Sequence, residues 1–234
     1  MADKRPDLVA SGVYRVDALG LSNAINVLLL ENDDGWTLVD TGVANSVERI
    51  KAAMAALGSG PEDLKRIFIT HQHDDHTGGL KGILEWAPGA EVGASAHEAE
   101  VISGRRPLDP PSNGFLRFMS RGAEPPSVPV GKVLREGDVV SGFRLIPTPG
   151  HTPGHVSLLR DTDGLLFTAD AFGRLPLGLR VGVRKAFCTH PKQARRSSEK
   201  LLREEFATVI LAHGSVMRSG ARAALRGAAD NCKY

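Results

Sequence analysis

Between Thr70 and His76 the chain reads Thr-His-Gln-His-Asp-Asp-His, so three histidines and two aspartates fall in six consecutive positions. That density of metal-ligand types is far above that of an ordinary solvated loop. Imidazole nitrogens and carboxylate oxygens suit zinc, iron, manganese or nickel, and no thiolate lies near. His71 and His73 are two residues apart, so in extended chain they project to the same side. Asp75 and His76 follow where the chain must turn into a helix. Such a loop can give one pair of ligands to one metal and a second pair to its neighbour. Two divalent ions that share a water bring its pKa toward neutrality and so generate a nucleophile.

One loop cannot complete two coordination shells, so other elements must deliver the remaining ligands. Apolar runs do end at suitable residues. Thr37-Leu38-Val39 runs into Asp40, and Ile67-Phe68-Ile69-Thr70 into His71. Leu145-Ile146-Pro147 leads to His151, Leu165-Leu166-Phe167 to Asp170, and Val209-Ile210-Leu211 to His213. In layered α/β folds, ligand sites lie beyond the ends of strands. Periodicity predicts strands over 13–18, 25–31, 36–39, 66–70, 91–94, 132–135, 143–148, 156–160, 165–168 and 207–211. It predicts helices over 44–57, 77–86, 96–102, 191–205 and 221–229. The last of the long helices begins with a proline at its first turn, Pro191. Two stretches read as irregular, 104–129 and 173–186. The first holds six prolines around Phe115, Leu116, Phe118 and Met119. It is either a functional lid or an ordinary surface excursion with one short helix packed on the domain.

The order of these landmarks resembles the metallo-β-lactamase superfamily. His71-Gln72-His73-Asp74-Asp75-His76 is similar to the His-x-His-x-Asp-His motif of that family. Leu38-Val39-Asp40-Thr41-Gly42 resembles its first motif and Pro149-Gly150-His151-Thr152-Pro153-Gly154-His155 its third. Thr168-Ala169-Asp170 and Ala212-His213-Gly214 resemble the fourth and fifth. The match spans residues 13–214. It implies an αββα sandwich, with two mixed β-sheets flanked by helices, in a single domain over 1–234. It implies a first metal on His71, His73 and His151, and a second on Asp75, His76 and His213. Asp170 would bridge them together with a hydroxide. Asp75 would also act catalytically, aiming the hydroxide, and Asp40 would fix the ligand loop by hydrogen bonds. Zinc is the expected metal, with manganese and iron accepted by the same ligands.

Departures from particular branches narrow the substrate. Only 21 residues follow His213, so the glutathione-binding helical domain of glyoxalase II relatives is expected to be missing. Dedicated β-lactamases of the family lack the bridging aspartate that Asp170 would supply. Signal-lactone hydrolases place a tyrosine after that aspartate, whereas the tyrosines here are Tyr14 and Tyr234. The leading expectation is hydrolysis of an ester, thioester or lactone. The alternatives are a phosphodiesterase or nuclease on the same centre, an iron dioxygenase acting on persulfides, and a structural metal site. Phe115, Phe118, Met119 and His190 are candidate pocket residues, and Arg105, Arg106, Arg174, Arg180 and Arg184 candidates for holding an anionic group. His155 reads as a structural hydrogen-bonding residue, His97 and Asp74 as solvated, and Cys188 as a buried small residue.

Composition supplies the exclusions. The chain of 234 residues carries 29 Lys and Arg against 27 Asp and Glu, a net charge of +2, so no nucleic-acid partner is expected. No apolar run approaches about 18 residues, so no membrane span is expected. The opening residues lack the apolar stretch of a leader, and the two cysteines, Cys188 and Cys232, make no disulfide framework. A cytoplasmic enzyme acting on a small molecule is the expectation, with a homodimer as the family's habit.

Overall fold

The structure is a computed structural model and describes residues 5–176 and 178–234. Residues 1–4, the start of the predicted domain, and Leu177, within the 173–186 stretch, lie outside that description.

Seven strands form the first sheet in sequence order: β1 (Asp7–Ala10), β2 (Val13–Asp17), β3 (Asn26–Asn32), β4 (Gly35–Val39), β5 (Leu64–Ile69), β6 (Glu91–Ser95) and β7 (Lys132–Leu134). The first four pair antiparallel and the last four parallel. The second sheet contains β8 (Val139–Val140), β9 (Phe143–Pro147), β10 (Val156–Arg160) and β11 (Leu165–Phe167). After a separate hairpin of β12 (Phe172–Leu175) and β13 (Gly178–Val181), the chain returns as β14 (Thr208–Ile210), parallel to β11. The helices are α1 (Val47–Ala56), α2 (Asp74–Thr77), α3 (Leu80–Trp86), α4 (Ala96–Ile102), α5 (Gly114–Met119), α6 (Pro191–Leu201) and α7 (Ala221–Asp230).

Three apolar layers follow from strand alternation. In β3, Leu28 and Leu30 face Phe143, Leu158 and Phe167 of the second sheet. Val27 and Leu29 point the other way, onto Ile50 and Met54 of α1 and Ile83 of α3. Both faces are buried, which is why the run reads as continuously apolar rather than alternating. The outer face of the second sheet packs Leu159, Leu166 and Val209 on Leu201 of α6 and Leu225 of α7. The result is the αββα sandwich. No helix among the described residues is long and apolar enough to cross a membrane.

Several boundaries differ from the sequence reading. The 173–186 stretch carries the β12–β13 hairpin, hidden because only Phe172, Gly173 and Val181 of its eight strand residues are buried. The 191–205 helix stops at Leu201, where the chain folds Phe206 into the core before β14. The 44–57 helix is a 3-10 turn over Ala44–Ser46 followed by α1. Strands β1 and β8 were not expected; both are short edge strands. The 104–129 segment contains α5, whose first turn is capped by Asn113 Oδ1 accepting from Leu116 N at 3.0 Å.

Direction explains why the ligands meet. Strands β4 and β5 are parallel. Strands β9 and β11 each run antiparallel to β10, and β14 is parallel to β11. Hence β9, β11 and β14 also share one direction. The two sheets are stitched at the edge where these five strands end, by Val156 N to Thr70 O at 3.3 Å and Asn26 N to Ala212 O at 2.8 Å.

Candidate metal centre

Two donor sets occupy that edge. His71, His73, His151 and Asp170 form one, and Asp75, His76 and His213 the other; within each set the ligand atoms lie within 4.8 Å of one another. The strand ends thus bring together all seven residues expected as ligands. His73 Nδ1 lies 3.2 Å from His71 Nε2 and 2.9 Å from His151 Nε2. Asp170 reaches both sets, with Oδ2 at 3.2 Å from His151 Nε2 and Oδ1 at 3.4 Å from His213 Nε2. Asp75 Oδ2 stands 3.1 Å from His213 Nε2.

The outer nitrogens fix the rings. His76 Nδ1 donates to Asp40 Oδ2 at 2.7 Å. Thr70 Oγ1 also donates to Asp40 Oδ2, at 2.9 Å, and lies 3.1 Å from His71 Nδ1, from which it accepts. One carboxylate therefore sets the tautomer of a histidine in each donor set, directly for His76 and through Thr70 for His71. Asp40 takes a left-handed φ of 61° to do this, a conformation aspartate tolerates better than most residues. His213 Nδ1 donates to Ala24 O at 2.6 Å, and the thiol of Cys188 lies 3.8 Å from His151 Nδ1.

A divalent cation fits these residues. His76 Nε2 and Asp170 Oδ1 are buried without a hydrogen-bond partner, a costly state for groups aimed at the same point. His71 and His151 have their outer nitrogens engaged, so their inner lone pairs converge with that of His73. The donor chemistry is all nitrogen and oxygen.

Electrostatics distinguishes the two sets. Burial, with His76 and His73 alongside, takes His71 well below the usual histidine range. Burial likewise takes His73 down to about 3. Burial opposes charge on His76, but Asp40, Asp170 and Asp75 outweigh it and hold His76 well above the histidine range. His213 is pushed up to about 10, Asp170 and Asp75 together outweighing burial. Burial would raise Asp75 and Asp170, but neighbouring histidines hold both below the carboxylate range. His71 and His73 thus stand as neutral imidazoles, and the second set is held as ion pairs.

Replacing Asp40 by asparagine keeps the left-handed turn but puts an amide N–H where an acceptor must stand. Metal affinity is expected to fall about 10- to 100-fold, the usual cost of losing such an outer partner. Competition with a chromogenic chelator would measure it, and an unchanged affinity would refute Asp40's role in both rings.

Supporting residues came from outside the recognised motifs. Buried Asn26 donates to Leu211 O at 2.9 Å and Gly214 O at 2.7 Å, holding the His213 loop. His155, expected to be structural, accepts from Asp170 N at 3.0 Å and faces Thr148 Oγ1 at 2.9 Å, so it seats Asp170. Glu98 on α4 is buried and accepts from Thr152 Oγ1 at 2.6 Å and Gly154 N at 3.0 Å, clamping the loop between His151 and His155. Gly150, at φ 129°, lets that loop touch α6: an added Cβ would lie 2.0 Å from Ala194 N. Of these, Gly150 and His155 lay inside a motif; no local pattern marked Asn26 or Glu98.

Burial raises Glu98 to about 7. A carboxyl raised in the folded state stabilises the fold fully below its unfolded pKa of about 4.5 and loses that contribution as pH rises to about 7. Glu98→Gln keeps the acceptor oxygen and removes the titration. Its Tm is expected to change little at pH 4.5 and to exceed that of the parent at pH 8, by an amount worth up to about 3 kcal/mol. An equal shift at both pH values would contradict the assignment.

The remaining predicted residues lie around the centre. Asp74 starts α2. His97 meets Asp109 Oδ2 at 2.6 Å, and Gln72 binds the same aspartate through both amide groups at 2.8 and 2.7 Å. His190 is exposed, at the head of α6, with its backbone N–H on Gly150 O at 2.8 Å. Phe115, Phe118 and Met119 are exposed on α5. Cys188 is buried, and burial pushes its thiol up to about 12, so it is not a thiolate nucleophile.

The family model of the metallo-β-lactamase superfamily matches residues 22–213. The chain belongs to that superfamily. Among curated relatives it is 30% identical over 207 residues to the uncharacterized protein YobT of Bacillus subtilis, covering 83% of this chain and 85% of that one. It is 30% identical over 211 residues to a hydroxyacylglutathione hydrolase of Jannaschia, covering 88% and 72% of the two chains. It is 31% identical over 174 residues to an N-acyl homoserine lactonase of a Bacillus species, covering 61% and 62%. Among solved structures, a metallo-β-lactamase of Cronobacter sakazakii superposes with a TM-score of 0.67 at 27% identity, over 90% of this chain and 78% of that one. The metallo-β-lactamase SMB-1 superposes at 0.69 with 23% identity, over 94% and 91%, a likeness of fold. The superfamily's αββα architecture is the one described above, and two of the relatives named here, the hydroxyacylglutathione hydrolase and the lactonase, are hydrolases by name.

Proposed function

We propose that the protein is a dinuclear metal-dependent hydrolase of an ester, thioester or lactone carbonyl. The observation that carries this reading is Asp170, whose two carboxylate oxygens face the two donor sets. His71, His73 and His151 would hold one divalent ion and Asp75, His76 and His213 the other, with zinc the best match and manganese or iron compatible. Bound there, the ions supply Lewis acidity for a carbonyl oxygen and lower the pKa of a water.

The chain's own groups do the rest. Asp75 has the most exposed carboxylate of the two sets, 35% against 4% for Asp170, so it faces the incoming water. It accepts a hydrogen bond from that water and orients its lone pair to the substrate carbon. Attack forms a carbon–oxygen bond and breaks the bond to the leaving oxygen or sulfur, which departs with the water's proton as alcohol or thiol. The carboxylic acid remains as the other product. Thr70, Asp40 and Ala24 keep the rings from turning as charge develops. The names of the lactonase and hydroxyacylglutathione hydrolase relatives support carbonyl rather than phosphoryl substrates.

The test is a panel of esters, thioesters, lactones and phosphodiesters with metal-reconstituted protein. Metal-dependent turnover of the carbonyl compounds, abolished by chelator and restored by added zinc or manganese, is the expected outcome. Turnover confined to the phosphodiesters would overturn the reading.

A further inference from the structure

We propose that the rim of this centre binds an extended aliphatic tail, so that the preferred substrates are esters, thioesters or lactones of medium to long acyl chains. The inference rests on the hydrolase reading for the bond that is cleaved, and on independent surface observations for the tail.

Nine large apolar side chains are exposed among the described residues. Three, Leu8, Val133 and Val139, lie on the short edge strands β1, β7 and β8. The other six lie on three loops, and each loop is hydrogen-bonded to a ligand-bearing segment. Leu19 and Leu21 precede Ala24, whose carbonyl accepts from His213 Nδ1 at 2.6 Å. Phe187 precedes Thr189, whose N–H donates to His151 O at 2.9 Å. Phe115, Phe118 and Met119 sit on α5, which begins just after Ser112, whose N–H donates to Cys188 O at 2.9 Å. The same segment is tied at Asp109 to Gln72, the residue between His71 and His73. Apolar surface is therefore gathered on the three loops that border the two donor sets.

Helix α5 sharpens the point. It buries none of its six residues, and Phe115, Phe118 and Met119 are 70, 59 and 64% exposed. Six residues of helix gain too little from hydrogen bonding to persist without packing. This one is capped by Asn113 and braced at Asp109 and Ser112, so it is built to present side chains that the fold does not cover. Exposed apolar surface gathered on segments tied to one site marks a ligand that is itself apolar. A carbonyl held at the metal centre places an acyl chain against these loops. A fully buried methylene is worth about fourfold in binding, so three or four of them suffice for clear selectivity.

The experiment uses metal-loaded full-length protein with p-nitrophenyl acetate, hexanoate and decanoate below their micellar concentrations. The ratio of kcat/KM for decanoate over acetate is expected to be about tenfold or more, carried mainly by KM. The triple substitution Phe115→Ser, Phe118→Ser, Met119→Ser is expected to bring that ratio down to about twofold. Val133→Ser, on edge strand β7, is expected to leave it unchanged. A flat chain-length series, or a ratio that survives the triple substitution, overturns the proposal. Binding of free decanoate and acetate, measured by calorimetry, separates the two readings. If no ester of any length turns over, the hydrolase reading fails, while decanoate binding about tenfold tighter and lost in the triple variant still upholds the apolar rim. Equal binding of the two acids overturns it. Light scattering covers the remaining occupant: a wild-type dimer that the triple substitution converts to monomer without changing the ratio makes this face a contact between copies, and the proposal falls.

Discussion

Asp170→Ala is expected to lower bound metal from about two ions per chain to about one or fewer, and to cut ester hydrolysis by more than about 100-fold. Loss of an outer partner already costs about 10- to 100-fold in such sites, and the two carboxylate oxygens of Asp170 face the two donor sets. Its removal also takes away one of the carboxylates that hold His76 and His213 charged, leaving Asp40 and Asp75 for His76 and Asp75 for His213. The effect on the metal-free fold has a defined pH dependence. His213 is raised to about 10, so its contribution is fully present below the unfolded histidine pKa of about 6.5 and is lost as pH rises through about 10. The Tm penalty of Asp170→Ala is therefore largest near pH 6 and shrinks toward pH 10. Breaking a buried pair costs about 3–5 kcal/mol, which bounds the penalty at the acid end. Two ions retained with near-normal turnover would remove the bridging role altogether.

Asp75→Asn is the second large effect. The amide keeps the shape of the side chain and an oxygen at the second donor set, but it cannot take a proton from water. With metal supplied in excess, kcat is expected to fall about 10²- to 10⁴-fold, the range for losing a positioned general base. KM is expected to move little, since the lost interaction is made in the transition state. Metal titration decides between ligand and base. If excess metal restores kcat, Asp75 serves only as a ligand. If kcat stays low at full occupancy, the carboxylate acts on the water as proposed.

These residues were legible because their chemistry is local. Six positions from His71 to His76 hold five ligand types, and Asp40, His151, Asp170 and His213 each stand just beyond an apolar run. Strand polarity converts those scattered positions into one site, and the αββα order was implied by the family resemblance that the motifs carry. The support of the site was not legible. Glu98 clamps a loop 54 residues away, and Asn26 holds one 185 residues away; nothing in their neighbours announces either contact. His155 was read as a structural hydrogen-bonding residue, but its partner, the backbone N–H of Asp170, is visible only in three dimensions. The β12–β13 hairpin escaped for a different reason. Gly173 and Gly178 interrupt its periodicity, and its register rests on four short pairs rather than on a buried face. In the 104–129 segment the excursion reading allowed one short helix packed on the domain; α5 is that helix, but none of its residues is buried, so no buried stripe placed it.

The Asp40 link deserves the same physical reading. A motif match places an aspartate near the ligand loop, whereas the structure shows that it controls one histidine tautomer in each donor set. The two sites are thereby mechanically coupled, so Asp40→Asn should weaken both metals rather than one.

Metal content per chain tests a dinuclear centre most directly. Protein purified without added metal, and again after reconstitution and gel filtration, should be assayed by elemental analysis alongside ester turnover. Close to two zinc or manganese ions per chain, with activity rising as the second ion is bound, is the predicted result. A single ion per chain at full activity, or turnover that persists after both donor sets have been stripped by chelator, would contradict it.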